Sequence, residues 1–171
     1  AFRDNVNNGN TYKDYTVNWK DNHYRETLCG PFAINFAYIQ GEQKSSRLSV
    51  EDYARLKAKG DKFGGLYIYR NNIRVLPYGD SDYDFLDVEK NRSKRAATAF
   101  FSYRRMFGAI SILETDRKSL LIEKAGREGF IENKAYKELR SILKNFLWQL
   151  AADFFNDNNS PYSEFFKQKK E

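Results

Sequence analysis

The chain has 171 residues, of which 41% are hydrophobic and 16% aromatic, and its formal net charge is +6 at pH 7. This apolar content can fill one sizeable core, and the length favours one domain over two. One cysteine, Cys29, and one histidine, His23, exclude an internal disulfide framework and a typical structural zinc site. We therefore expect a cytoplasmic domain without a metal, and the lack of any apolar run of roughly 20 residues argues against a membrane partner.

Residues 1–29 are rich in Asn, Asp and Tyr, and we interpret them as an N-terminal extension or linker. The chain does not begin with methionine, which suggests a fragment of a longer protein. From Phe32 to Gln40, large apolar side chains alternate with small or polar ones, and this period of two predicts a strand with one apolar face. Ser49 followed by Asp52 predicts the start of a short helix, which we expect to end at Gly60.

The middle of the chain predicts a hairpin followed by an acidic tract. Leu66–Tyr69 and Ile73–Leu76 are two β-rich runs joined by Arg70-Asn71-Asn72, where asparagine tolerates the positive φ of a tight turn. Further strands are predicted from Phe107 to Leu113 and, as a short edge strand, from Leu120 to Ile122. The acidic tract lacks the spacing of a calcium-binding loop, so we predict no metal site among its carboxylates, which are Asp80, Asp82, Asp84, Asp87 and Glu89.

A long amphipathic helix is predicted from Asn133 onward, because apolar residues recur every three to four positions over roughly 20 residues. This stripe consists of Tyr136, Leu139, Leu143, Phe146, Leu147, Leu150 and Phe154. The polar run 156–161 should stop the helix, and residues 157–171 are interpreted as a tail. The expected fold class is α+β, with a mixed or antiparallel sheet packed by this helix, in a domain spanning residues 30–156.

A basic run without acidic residues extends from Lys90 to Arg105 and is interleaved with Phe100, Phe101 and Tyr103. Cations beside aromatic rings suit a phosphate backbone with stacked bases, although such a run is also common in solvated loops. We therefore keep a nucleic-acid-binding module as an alternative function. Its candidate residues are Lys90, Arg92, Lys94, Arg95, Arg104 and Arg105.

The segment Gly126-Arg127-Glu128-Gly129 is a Gly-x-x-Gly turn that we expect to lead into the long helix. A turn of this kind can direct backbone N–H groups and a cation at an anion. The same segment could also be an ordinary surface turn in which Arg127 pairs with Glu128 or Glu132.

Three segments, in this order, resemble the second, transducer domain of bacterial GHKL-superfamily ATPases, the group that contains gyrase B, MutL, the MORC proteins and a heat-shock chaperone. The first is the hairpin region Gly64–Gly79, and the second is the strand region Arg104–Ile112. The third is Lys124–Tyr136, which contains the run Gly-Arg-Glu-Gly-Phe. The resemblance extends over residues 30–155.

This resemblance implies a β-α-β transducer fold, also seen in a small-subunit ribosomal protein. It further implies that a basic residue on the turn reaches the γ-phosphate of ATP bound in the preceding domain. That residue would be Arg127, with Lys124 as second choice, while Gly126 and Gly129 would let the loop approach the nucleotide. The implied partners are an N-terminal ATP-binding domain of the same chain and a second copy in a nucleotide-dependent homodimer.

The ATP-binding half of such a protein is not found in these residues. There is no Glu-x-x-x-Asn pattern to activate water and hold Mg²⁺, no Asp-x-Gly-x-Gly turn to recognise adenine, and no phosphate-binding loop of the Gly-x-x-x-x-Gly-Lys type. The sequence therefore predicts a domain that is not an enzyme on its own and carries no cofactor. ATP and Mg²⁺ would bind in the full-length parent.

Overall fold

The computed structural model describes residues 2–4, 9–11, 27–46, 48–94, 101–113, 119–126 and 128–155. This part of the chain has an α+β fold. Its strands are β1 (Phe2–Asp4), β2 (Gly9–Thr11), β3 (Ala33–Tyr38), β4 (Gly65–Arg70), β5 (Ile73–Val75) and β6 (Met106–Ile112). Its α-helices are α1 (Val50–Phe63), α2 (Val88–Lys94) and α3 (Lys134–Phe155), and Gln43–Ser45 and Tyr103–Arg105 form short 3-10 helices.

Four of the strands form one mixed sheet in the order β3-β6-β4-β5. The β3–β6 and β4–β5 pairs are antiparallel, whereas β6 runs parallel to β4. A parallel pair needs a crossover connection, which the segment from β5 through α2 to β6 supplies. Strands β1 and β2 form a separate antiparallel pair. The sheet is therefore mixed, one of the two arrangements predicted from the sequence.

The two faces of the sheet differ in burial. On one face, the register aligns Ile34, Ile110 and Ile68 on three adjacent strands, and both Ile110 and Ile68 are fully buried. The apolar stripe of α3 packs in the same core, which confirms the predicted C-terminal helix and its packing. Its buried members are Tyr136, Leu139, Leu143, Leu147 and Leu150. Two residues that precede the predicted domain boundary also contribute: Cys29 is buried in this core, and Leu28 packs against it.

Helix α1 begins as predicted but ends later. The Ser49 hydroxyl accepts a hydrogen bond from the Asp52 N–H at 3.1 Å, which confirms the N-cap. The prediction that Gly60 ends the helix is wrong, because α1 continues to Phe63. A Cβ at position 60 would lie 2.9 Å from Cδ1 of Ile39. Glycine at this position therefore lets the Ile39 side chain pack closely against the backbone of α1.

The central hairpin and strand predictions are confirmed, and the predicted edge strand is not. Asn71 and Asn72 have φ values of 48° and 66° and form the two-residue turn between β4 and β5. Residues 120–122 form no sheet strand. The Leu120 N–H instead donates to the Leu28 carbonyl at 2.9 Å, outside the regular ladders. The predicted helix stop at 156–161 and the tail at 157–171 lie outside the described residues.

Candidate functional site

The residues on either side of the Gly-x-x-Gly segment form a short hairpin. The Lys124 N–H donates to the Gly129 carbonyl at 2.9 Å, and the Ile131 N–H donates to the Ile122 carbonyl at 2.8 Å. Between these two bonds, Glu123 forms an isolated bridge with Phe130. These bonds close a turn of residues 124–129, which we call the basic turn.

The base of the basic turn is anchored in the core. Phe130 is buried, its ring centroid lies 5.6 Å from that of Tyr78, and its N–H donates to the Tyr78 hydroxyl at 3.2 Å. Burial raises the pKa of Tyr78, so its hydroxyl stays protonated at neutral pH and remains an uncharged acceptor for this bond. The turn therefore extends from a fixed base.

The two glycines of the turn have different structural requirements. Gly129 has a φ of +91°, and a Cβ there would lie 3.2 Å from the Tyr78 hydroxyl, so the backbone conformation favours glycine. Gly126 is exposed, and the nearest atom to an added Cβ would be the Glu128 side chain at 3.7 Å. The backbone conformation therefore requires glycine at position 129, whereas there is room for alanine at position 126.

The described residues at the tip of the basic turn are exposed and lie beside the β4–β5 hairpin. Lys124 and Glu128 are both exposed, whereas Arg127 lies outside the described residues. Glu128 forms an isolated bridge with Leu76, just after β5, and Glu123 pairs with Arg70 of β4 at 3.4 Å. The first and third segments of the family resemblance are therefore in direct contact.

Helix α3 begins where the apolar stripe predicts, just after Asn133, and not directly at the Gly-x-x-Gly turn that was expected to lead into it. It begins at Lys134, and the Asn133 side chain caps it by accepting the Tyr136 N–H at 2.9 Å. The Asn133 amide also donates to the Leu120 carbonyl at 2.8 Å. The N–H groups of the helix start therefore do not belong to the turn.

The cations of the predicted nucleic-acid run lie on two connected elements. Lys90, Arg92 and Lys94 are exposed on α2, and Arg104 and Arg105 are exposed on the 3-10 helix before β6. The Glu89 carboxylate joins these elements by accepting the Ser102 hydroxyl and the Tyr103 N–H, both at 2.7 Å. Arg95, the remaining candidate, lies outside the described residues.

The described aromatic residues of that run, Phe101 and Tyr103, do not form a stacking surface. Phe101 and Tyr103 are buried in the core, and the Tyr103 hydroxyl accepts the Leu66 N–H at 3.3 Å. Burial is the main cause that raises the pKa of Tyr103, to about 12. Phe100 lies outside the described residues. The interpretation of Phe101 and Tyr103 as base-stacking residues is wrong, because a basic neighbourhood in sequence does not show which side chains enter the core.

Side chains of the acidic tract form hydrogen bonds and ion pairs with other parts of the fold. Asp80 pairs with Arg74 at 2.7 Å, the Asp84 carboxylate accepts the Glu89 N–H at 2.8 Å, and Asp87 pairs with Arg140 at 2.8 Å and with Lys144. Within the described residues, no group of three His, Cys, Asp or Glu side chains is arranged to hold a metal ion.

Replacing Asp87 by asparagine tests the link between α2 and α3. Burial alone would raise the pKa of Asp87, but the hydrogen bond and charge of Lys144 and the charge of Arg140 lower it overall. A lowered folded pKa stabilises the protein above the unfolded value, and this contribution is lost as pH falls through the folded value. We expect Asp87→Asn to lose about 2 kcal/mol of unfolding free energy at pH 7, and less below about pH 4.

Urea unfolding at pH 7 and below about pH 4 measures this difference. Asparagine is the chosen replacement because it can adopt the φ of 54° at position 87. The exposed Asp82→Asn serves as the control. A loss for Asp87→Asn that is unchanged at low pH would contradict the ionic account.

Comparison with known proteins identifies no relative. No family model, curated protein or solved structure matches this chain. Within the described residues, none of the helices has the length and apolar character needed to span a membrane.

Proposed function

We propose that this chain is the transducer domain of a cytoplasmic GHKL-type ATPase and is not an enzyme on its own. In this proposal the basic turn presents Arg127, with Lys124 beside it, to the γ-phosphate of ATP. The nucleotide and Mg²⁺ are held by the preceding ATP-binding domain of the same chain, and two chains associate when nucleotide is bound. The observation that carries the proposal is the exposed basic turn on its buried base.

A fixed base matters because electrostatic stabilisation works best when the charge is positioned before the reaction. The buried Phe130 and its bond to Tyr78 limit the positions that the turn can take. An arginine carried by the turn stays charged at any physiological pH and can donate two parallel hydrogen bonds to phosphate oxygens. Charge that develops on the γ-phosphate during hydrolysis would then be stabilised.

Contacts at the base of the turn provide a route for relaying nucleotide state. Glu123, directly before the turn, pairs with Arg70 of β4. The Asn133 cap of α3 bonds the carbonyl of Leu120, just before the hairpin. A turn engaged with ATP would favour one position of these elements over another, which is a shift in population driven by differential affinity. As part of this proposal, the sheet and helices have the β-α-β transducer arrangement that is also seen in a small-subunit ribosomal protein.

ATP hydrolysis by the full-length chain, including the ATP-binding domain, tests the role of Arg127. We expect Arg127→Ala to lower kcat by about ten-fold or more, or about 1.4 kcal/mol of transition-state stabilisation. Arg127→Lys should retain part of the rate because it keeps the charge, and Lys124→Ala should have a smaller effect.

Arg55→Ala is the matched control, because Arg55 is an exposed arginine on α1. Unfolding midpoints should be equal for all variants. An unchanged rate for Arg127→Ala, or a full-length chain that lacks any ATP-binding domain, would refute the proposal.

A basic nucleic-acid-binding module is the second candidate function. The observation in its favour is the Glu89 contact, which joins the exposed cations of α2 to Arg104 and Arg105. In this case the affinity for DNA or RNA should fall steeply as salt increases. It should also fall when Lys90 and Lys94 are replaced together by alanine.

A further inference from the structure

Within the described residues, one face of the four-stranded sheet is only partly covered. Ala109 and Ser111 lie on the central strand β6 but are only half-buried, and Asn35 on the neighbouring strand is exposed. Side chains in the middle of a sheet would be buried if another layer packed on them. This face, which we call the open face, is opposite to the one that packs with α3.

Three aromatic rings lie on the open face. Tyr67 and Tyr69 are two positions apart on β4, so they project to the same side. Phe107 on β6 pairs in register with Gly65, and Tyr67 pairs with Ala109. All three rings are partly exposed and lie outside the core cluster. Their register partners on β6, Ala109 for Tyr67 and Ser111 for Tyr69, have small side chains.

Cations border these rings. The Arg74 guanidinium carbon lies 4.7 Å from the Tyr67 ring centroid, and Arg74 also pairs with Asp80. The Tyr67 hydroxyl donates to the carbonyl of Phe63, an exposed residue whose ring lies 5.1 Å from the Lys62 ammonium. Arg105 is exposed immediately before β6. The positions of β3, β4, β5 and β6 that form this face carry no acidic residue.

We propose that the open face binds single-stranded nucleic acid, with bases stacked on Tyr67, Tyr69 and Phe107 and phosphates near Arg74 and Arg105. Exposed aromatic rings on a sheet, bordered by cations, are the features that hold unpaired bases and their backbone. A protein partner fits less well. Three strands about 20 Å long and the three-residue strand β5, about 10 Å long, spaced about 4.8 Å apart, offer roughly 340 Å². This is less than half the area that each partner contributes to a standard protein interface.

This site is distinct from the proposed γ-phosphate turn and does not depend on it. The probe is a fluorescent oligothymidylate of roughly 15 nucleotides, long enough to occupy one such site. We expect salt-sensitive binding to the wild-type chain by fluorescence anisotropy, and weaker binding to the duplex of the same length. Tyr67→Leu and Phe107→Leu, which keep apolar bulk, should each weaken binding by about ten-fold.

Tyr83→Leu is the matched control, because Tyr83 is a partly exposed tyrosine outside the sheet, and it should bind as the wild type does. Removing a phosphate contact with Arg74→Gln should reduce the slope of log affinity against log salt by about 0.7, whereas Lys90→Gln on α2 should not change it. Thermal unfolding confirms that each variant is folded.

Several results would overturn the proposal. These are no binding by the wild-type chain at low salt, equal binding of the duplex, or affinity that depends on Lys90 and not on the three rings. Self-association of the wild-type chain that is lost in Tyr67→Leu would assign the open face to a second copy of the chain instead.

Discussion

Replacing Gly108 by alanine is expected to lower the free energy of unfolding by about 3 kcal/mol, at the upper end of the range for overpacking. Gly108 lies on β6, between β3 and β4. A Cβ there would lie 2.3 Å from the Asn35 carbonyl oxygen and 2.4 Å from Cα of Phe36. These are backbone atoms held by the sheet ladder, so no side-chain rotation can relieve the contact.

Urea unfolding of Gly108→Ala measures this effect, with Ala109→Val as the control on the next residue of β6. Ala109 is half-buried on the open face, and the added methyl groups there should change stability by less than about 0.5 kcal/mol. A Gly108→Ala variant as stable as the wild type would contradict the pairing of β3 with β6.

Replacing Phe130 by alanine is expected to lower the free energy of unfolding by about 4 kcal/mol. Phe130 is 2% exposed, and its ring packs against Tyr78 and Tyr136 at centroid distances of 5.6 Å and 6.1 Å. Truncation removes this ring and leaves a cavity at the base of the basic turn. The same variant should therefore destabilise the core and also remove the side chain that anchors the base of the turn.

Ile131→Ala is the matched control for Phe130→Ala, because Ile131 is the next residue and is 45% exposed. We expect a loss below about 1 kcal/mol for Ile131→Ala, measured by urea unfolding in parallel. Equal losses for the two variants would mean that Phe130 is not the anchor of the turn.

The predictable parts of the fold are those with a local signal. The apolar stripe of α3 and the two asparagines of the β4–β5 turn could be interpreted from neighbouring residues alone. The role of Gly60 could not, because it depends on Ile39, more than 20 residues away in the sequence. The start of α3 was also predictable, because its apolar stripe begins just after Asn133, an N-cap residue type.

The candidate site was predictable only in part for the same reason. The glycine spacing predicted a turn, and a turn is present. Its anchor depends on Tyr78, which lies 52 residues before Phe130. The open face also escaped prediction, because Leu66 to Tyr69 are all apolar or aromatic and their period does not show which side is covered. Which face of the sheet is buried depends on the side on which α3 packs, and the sequence of the strand does not show that.

The most direct test of the transducer proposal compares the affinities of the full-length chain for ATP and ADP. A residue that contacts only the γ-phosphate contributes to ATP binding and not to ADP binding. We therefore expect Arg127→Ala to weaken ATP binding by about ten-fold, or 1.4 kcal/mol, and to leave ADP binding unchanged. Equal changes for both nucleotides, or no change for either, would contradict a γ-phosphate contact by Arg127.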